Sequence, residues 1–250
     1  MIQAFALQKL LKIQIRLYLR EPITVFFTMF LAPLMLIMMG FVTGNEPQEM
    51  FGGRGQLDVY LPTYTALVIG IVGLISVPIE TTSRREIGAL RRFRATPLKP
   101  LTYILSDVLI NFVLILMGIT LLLVLGLTVY RIRFEGRFLS LAFALCLSSA
   151  AFLAIGYVLA SVLPNNRVAT LVGNLLLYPM MFFSGATVPR EMLPEAIQKL
   201  SYALPLTHVV SLVKGAWFGE PLGQYWVEIV VLGAILVVCT LISTRAFRWE

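Results

Sequence analysis

Residues able to do covalent or metal chemistry are scarce in this chain. Its 250 residues include one histidine and two cysteines, and only 13% are charged, about half the roughly 25% of a soluble domain. Cys146, Cys239 and a lone His208 cannot assemble a metal centre, and two cysteines are too few for a disulfide framework. A phosphate cradle of the form Gly-x-x-x-x-Gly-Lys-Ser/Thr is missing too. The run Gly52-Gly53-Arg54-Gly55 is glycine-rich but reads as a turn. No cofactor is expected on the chain itself, and it is not expected to be an enzyme.

Apolar residues, by contrast, are abundant: 58% of the chain is hydrophobic and the mean hydropathy is +0.87. A 250-residue globule has nowhere to hide that much apolar surface, so a soluble enzyme is excluded, as is a disordered chain. The composition is that of an integral membrane protein. The net charge of +7 falls at the ends of apolar runs, where lipid headgroups account for it better than nucleic acid does.

About 20 apolar residues are needed to cross a ~30 Å hydrocarbon core. Five uncharged runs have that length: Pro22–Asn45, Val59–Ile79, Val108–Tyr130, Phe138–Asn166 and Val168–Pro189. A sixth, Pro221–Thr244, is interrupted only by Glu228. Leu200–Val213, with Pro205 and His208 inside it, is too short and suits an interfacial or re-entrant segment. The expectation is six spans in a single all-α membrane domain over 1–250. With both termini in the cytoplasm, thirteen Lys and Arg lie inside against seven outside, the better fit to the positive-inside rule. No cleavable signal peptide is evident, and a multi-pass chain of the cell membrane is the expectation.

Two segments outside the spans are amphipathic. Over 5–20, Lys9, Lys12, Arg16 and Arg20 share an arc about 80° wide on a helix, and Leu7, Leu10, Leu11, Leu17 and Tyr18 face the other way. Such a helix lies in the headgroup plane, as a plain anchor or as a lever beside a partner. Arg20-Glu21-Pro22 ends it. The longest cytoplasmic loop, 80–99, is basic: read as a helix it stacks Arg84 on Arg91 and Arg85 on Arg92, and sets Ile87, Leu90 and Phe93 on a separate ridge. Thr96-Pro97 ends that helix. The ridge can rest on lipid or dock in the groove of a soluble partner.

The wording of this loop resembles that of ABC-2 type transporter permeases. Arg85-Glu86-x-Gly88-Ala89-Leu90-Arg91-Arg92-Phe93-Arg94-Ala95-Thr96-Pro97 is similar to the family's motif after the second span: an acidic residue, Gly-Thr-Leu, then a closing Thr-Pro. Ala89 replaces the usual Thr, and Arg91 stands where many members carry Glu. The loop looks closest to the drug-export branch. The amphipathic N-terminus, the six-span plan and the stretch from Phe183-Ser-Gly-Ala-Thr-Val-Pro189 to Leu204-Pro205-Leu206-Thr207 extend the resemblance over the whole chain.

The resemblance implies an exporter subunit driven by a separate ABC ATP-binding subunit in two copies, with a second permease copy as a homodimer partner. ATP would be bound by that partner subunit. Arg85, Glu86, Gly88, Leu90, Arg91, Arg92, Phe93, Thr96 and Pro97 would form the ATPase-coupling helix. Residues 189–218 would fold as outer re-entrant helices. The cargo would be a hydrophobic small molecule or a lipid-like compound, with a polysaccharide or lipid-linked glycan as the alternative.

Asp107 and Asn111 lie one helical turn apart near the start of the third run. As ionisable and polar groups at membrane depth they are candidates for the pathway or for a subunit interface, or sit at headgroup level near Lys99. Glu228 carries the same ambiguity. Met180 and Met181, with Met29, Met35, Met38 and Met39, either line an adaptable pathway or face lipid. Ser184 and His208 could be paired as a protease dyad, but no Gly-x-Ser-x-Gly context surrounds the serine.

Overall fold

The computed structural model describes residues 22–51, 53–88, 100–187 and 193–246. Helix dominates them, because lipid offers the backbone no hydrogen-bond partner. Helix α1 (Pro22–Thr43) leads into a minimal hairpin of β1 (Pro47–Gln48) and β2 (Arg54–Gly55), paired antiparallel with Pro47 opposite Gly55. Helix α2 (Gln56–Ile71) continues through a π-turn (Val72–Ser76) into α3 (Val77–Glu86). Then come α4 (Pro100–Val129), α5 (Phe138–Val162) and α6 (Asn166–Phe183). Two short helices, α7 (Glu195–Ser201) and α8 (Pro205–Trp217), precede a 3-10 turn (Leu222–Tyr225) and α9 (Trp226–Ala246).

Among the described residues four helices are long and apolar enough to cross a membrane: Gln56–Glu86, Leu105–Val129, Phe138–Val162 and Leu222–Ala246; Met29–Thr43 is a shorter apolar helix. The chain is an all-α, multi-pass membrane protein. Their burial differs sharply. The best window of Gln56–Glu86 is 89% buried and that of Leu222–Ala246 only 6%, so the α2–α3 rod is the centre of the bundle and α9 lies on its rim.

Glycines fix how the rod is surrounded. A Cβ on Gly126 would meet Leu61 and one on Gly118 would meet Val68, so α4 runs antiparallel to α2. Gly73 lies against Phe152, and Gly156 against Gly73 and Val77, so α5 runs parallel to the rod. Gly173 lies against Leu74, with α6 antiparallel. At Gly156 and Gly173 an added Cβ would come within 2.3 Å and 2.5 Å of backbone carbonyls of the π-turn. Only glycine permits such main-chain packing, and π-turns of this kind often mark functional sites. The bundle therefore has a hairpin end, where β1 and β2 lie, and an opposite basal end, where α3 and α5 finish and α4 and α6 begin. Helix α8 starts against the middle of the rod, where Leu206 faces Gly70, and ends beside Gly136 at the hairpin end.

Two helix boundaries differ from the sequence expectation. The segment 80–99 does not begin as a loop or a separate helix. Its first part is the end of the 31-residue Gln56–Glu86 helix. Gly88, at φ +69, sits in the left-handed region, with Gly88 N–H bonded to Arg85 O at 3.0 Å and Ile87 N–H to Ser83 O at 3.1 Å. That is a glycine C-cap. The helix that carries Arg84, Arg85 and Glu86 ends at Gly88; Leu90, Phe93 and the rest of 89–99 lie outside the described residues. The uncharged run Phe138–Asn166 likewise stops at Val162, because Leu163 turns extended at ψ 135 ahead of Pro164.

Candidate functional site

At the basal end, α3 carries Glu80 and Arg84 on one face, one turn apart, with Arg84 Nη2 3.3 Å from Glu80 Oε2. Arg84 reaches across to α4, where Nη1 forms a close ion pair with Asp107 Oδ1. Asp107 is 1% exposed. Its second oxygen accepts a hydrogen bond from Tyr157 Oη of α5 at 2.7 Å. Asn111 donates to the Asp107 backbone carbonyl at 3.0 Å, so it braces α4 itself. A buried carboxylate persists only when its charge and lone pairs are met, and here one arginine and one tyrosine from two other helices meet them.

Arg85 and Glu86 serve the junction between α5 and α6. In a helix the carbonyl of Ala160 would accept from residue 164, but residue 164 is proline and has no N–H. Arg85 Nη1 supplies the missing donor at 3.1 Å, and its Nη2 makes a close hydrogen bond to the Leu163 carbonyl. Both acceptors lie at the C-terminal end of α5, where a cation is favoured. Glu86 Oε1 accepts from the Asn166 backbone N–H at 2.9 Å, and Asn165 Oδ1 caps Val168 N–H at 2.8 Å. A carboxylate at the start of α6 is likewise the favoured sign.

Sequence candidates are thus partly gathered and partly dispersed. Asp107, Asn111, Arg85 and Glu86 meet at the basal end, and Gly88 ends the helix that carries the last two. Met180 and Met181 are half-buried in the last turns of α6, near the other end of that helix. Beside them an apolar pocket of about 430 Å³ is lined by Tyr178, Pro179, Phe182, Phe183 and Leu193. Glu228 stands in the first turn of α9. Lys9, Lys12, Arg16, Arg20, Leu90, Arg91, Arg92, Phe93, Thr96 and Pro97 lie outside the described residues. His208 Nε2 bonds to the Tyr202 carbonyl at 2.9 Å, while Ser184 Oγ and His208 Nδ1 have no hydrogen-bond partner among the described residues, so no dyad forms.

Arg84, Glu80 and Tyr157 were not expected at the site. Glu80 and Arg84 announce themselves by their i,i+4 spacing. Tyr157, 50 residues from Asp107, has no local signal.

A model of the family described as ABC-2 type transporter matches residues 6–218. Nodulation protein J of Rhizobium leguminosarum bv. viciae is 32% identical over 115 residues, covering 45% of this chain and 44% of that protein. The inner membrane transport permease YhhJ of Escherichia coli (strain K12) is 26% identical over 194 residues, 76% of this chain and 50% of the relative. The probable multidrug ABC transporter permease YbhR of the same strain is 21% identical over 154 residues, 62% of this chain and 42% of the relative. The chain spans half or less of the length of these curated relatives. With the family match covering most of its residues, the chain belongs to the ABC-2 type transporter family.

Proposed function

We propose that the chain is the membrane-spanning permease subunit of an ATP-binding cassette exporter. Its cargo is a hydrophobic small molecule or a lipid-like compound, with drug efflux favoured. Hydrolysis takes place in two copies of a separate ATP-binding subunit, and two permease copies pair around one pathway. In this reading the basal end is cytoplasmic and both termini lie inside. Helices α1, α2–α3, α4, α5, α6 and α9 make six crossings, and α7 and α8 form the outer re-entrant segment.

The observation that carries the reading is the length and charge of the central rod. Its 31 residues extend about 46 Å at 1.5 Å each, some 15 Å more than a ~30 Å hydrocarbon core. The excess ends in Arg84, Arg85 and Glu86, immediately before the basic loop that resembles the family's coupling motif. A helix that is buried at its centre and charged where it emerges can carry a push from a cytoplasmic partner into the bundle. ATP closes the two partner subunits, the loop is displaced, and the spans move as rigid bodies. The multidrug name borne by one relative and the wholly apolar pocket on α6 support a hydrophobic cargo.

The test is a search of the adjacent reading frames for a phosphate-binding loop, purification of the chain together with any such product, and a screen for compounds that raise hydrolysis. Leu90→Asp and Phe93→Asp are expected to abolish ATPase association or stimulated turnover while the permease still folds, as judged by monodisperse elution. Full stimulation in both variants would remove the loop from the coupling path, and transport by the isolated chain would end the reading.

A further inference from the structure

Arg84, Arg85 and Glu86 are consecutive, so on a helix their side chains leave about 100° apart. Each addresses a different neighbour: Arg84 the Asp107 carboxylate of α4, Arg85 two terminal carbonyls of α5, Glu86 the first N–H of α6. We infer that Arg85 and Glu86 are positioning residues that clamp the α5–α6 junction to the end of α3, working inside the chain rather than as the charges read by the ATPase. The inference rests on the permease reading and deepens it: a displacement of the loop after Glu86 moves three helices together.

The chemistry of the acceptors argues for the clamp. Pro164 leaves the Ala160 carbonyl without its helical donor, and an unmet backbone carbonyl away from water is costly. The guanidinium fork suits two carbonyls at once, which a lysine point charge does not. On the far side of the break, Asn166 N–H is one of the unpaired donors of a new helix, and Glu86 fills it. The break at 163–165 is therefore held from outside, by two side chains of another helix. Cutting either contact loosens the α5–α6 junction at the end of the rod without touching the buried Asp107 pair.

Glu86→Ala against Glu86→Gln separates the clamp from a docking charge, because glutamine keeps the acceptor oxygen and loses the charge. Two readouts serve. The first is the separation of nitroxides on Ile87→Cys and Arg167→Cys, both exposed in the native chain, in a Cys146→Ala, Cys239→Ala background, measured by dipolar EPR on the permease alone. The second is hydrolysis by the co-purified ATP-binding subunit in liposomes, relative to that subunit without permease.

Glu86→Ala and Arg85→Ala are expected to lengthen and broaden the nitroxide distance. They are also expected to lower the stimulation about tenfold, the scale of a lost charge-assisted hydrogen bond, while the ATP-binding subunit still co-purifies. Glu86→Gln is expected to restore the narrow distance and most of the stimulation. Glutamine as damaging as alanine with an unchanged distance, or loss of the ATP-binding subunit from Glu86→Ala, would overturn the clamp and make Glu86 a docking charge. A wild-type chain that recruits no ATP-binding subunit would instead refute the permease reading, and the distances would still decide whether the clamp exists.

Discussion

Each end of the bundle holds an arginine–carboxylate pair, and the two pairs are built differently. At the basal end, Asp107 has a side chain 2% exposed and Arg84 one 16% exposed, and the carboxylate is shared among three helices. At the hairpin end, Arg54 and Glu135 lie 2.9 Å apart with side chains 39% and 43% exposed. Arg54 there also stacks on Phe218, 4.0 Å from its ring centroid. The first pair has left water and can neither be screened nor replaced by solvent; the second can. A charge deleted at the basal end leaves its partner buried with one fewer counter-charge, whereas one deleted at the hairpin end hands its partner to water.

Removing Asp107 is expected to have the largest effect. Asp107→Ala takes the buried carboxylate from Arg84 and leaves it paired with Glu80, so the cost is expected at the lower end of the range for breaking a buried pair, about 3 kcal/mol. In a detergent-solubilised thermal melt that is a fall in Tm on the order of 10 °C for a chain of this size. Arg84→Ala in the Asp107→Ala background is expected to recover part of the loss, since the cation that lost its buried carboxylate is then gone. A melt unmoved by Asp107→Ala would mean that the basal pair contributes as little as a surface one.

Tyr157→Phe comes next. It removes the 2.7 Å hydrogen bond to Asp107 but leaves the ion pair and the ring packing in place. A hydrogen bond to a charged group is worth about 1.5–3 kcal/mol, so a fall in Tm near half that of Asp107→Ala is expected. Equal falls for the two variants would show that Tyr157, not Arg84, holds the carboxylate.

The contrast between the ends also separates what the sequence discloses from what it hides. Apolar runs disclose the long helices, because a span carries few charges along its length. They blur the boundaries for the same reason. Nothing charged separates α5 from α6, so Phe138–Asn166 reads as one run, although Pro164-Asn165 is a helix stop followed by an N-cap. The loop motif draws the eye to Arg85 and Glu86, which do belong to the basal site, but their partners are backbone atoms some 80 residues away. No pattern in the side chains encodes a contact with a carbonyl or an N–H. The 3.6-residue period of the arginines runs straight through Gly88 in the sequence, where the left-handed glycine ends the helix. The π-turn leaves no mark in the sequence beyond Gly73, Gly156 and Gly173, whose common purpose appears only when α5 and α6 are laid on the rod.

The hairpin end is where the smallest effect is expected, and it sharpens the comparison most cheaply. Arg54 and Glu135 are joined in the open, where an ion pair contributes about 0–1 kcal/mol. Glu135→Ala is therefore expected to shift Tm by no more than about 3 °C. Whatever shift it causes is expected to vanish between low salt and roughly 0.5 M, because exposed charges are screened within a few ångströms there. Arg54→Ala is expected to cost slightly more than Glu135→Ala, since it also strips the guanidinium from the Phe218 face, and that residue of the effect is expected to survive added salt. The salt series thus divides the arginine's two contacts, and the Asp107→Ala shift measured in the same series is expected to stay flat. A salt-sensitive Asp107→Ala shift would put water beside the basal carboxylate, and with it the distinction between a buried junction and a surface pair would fall.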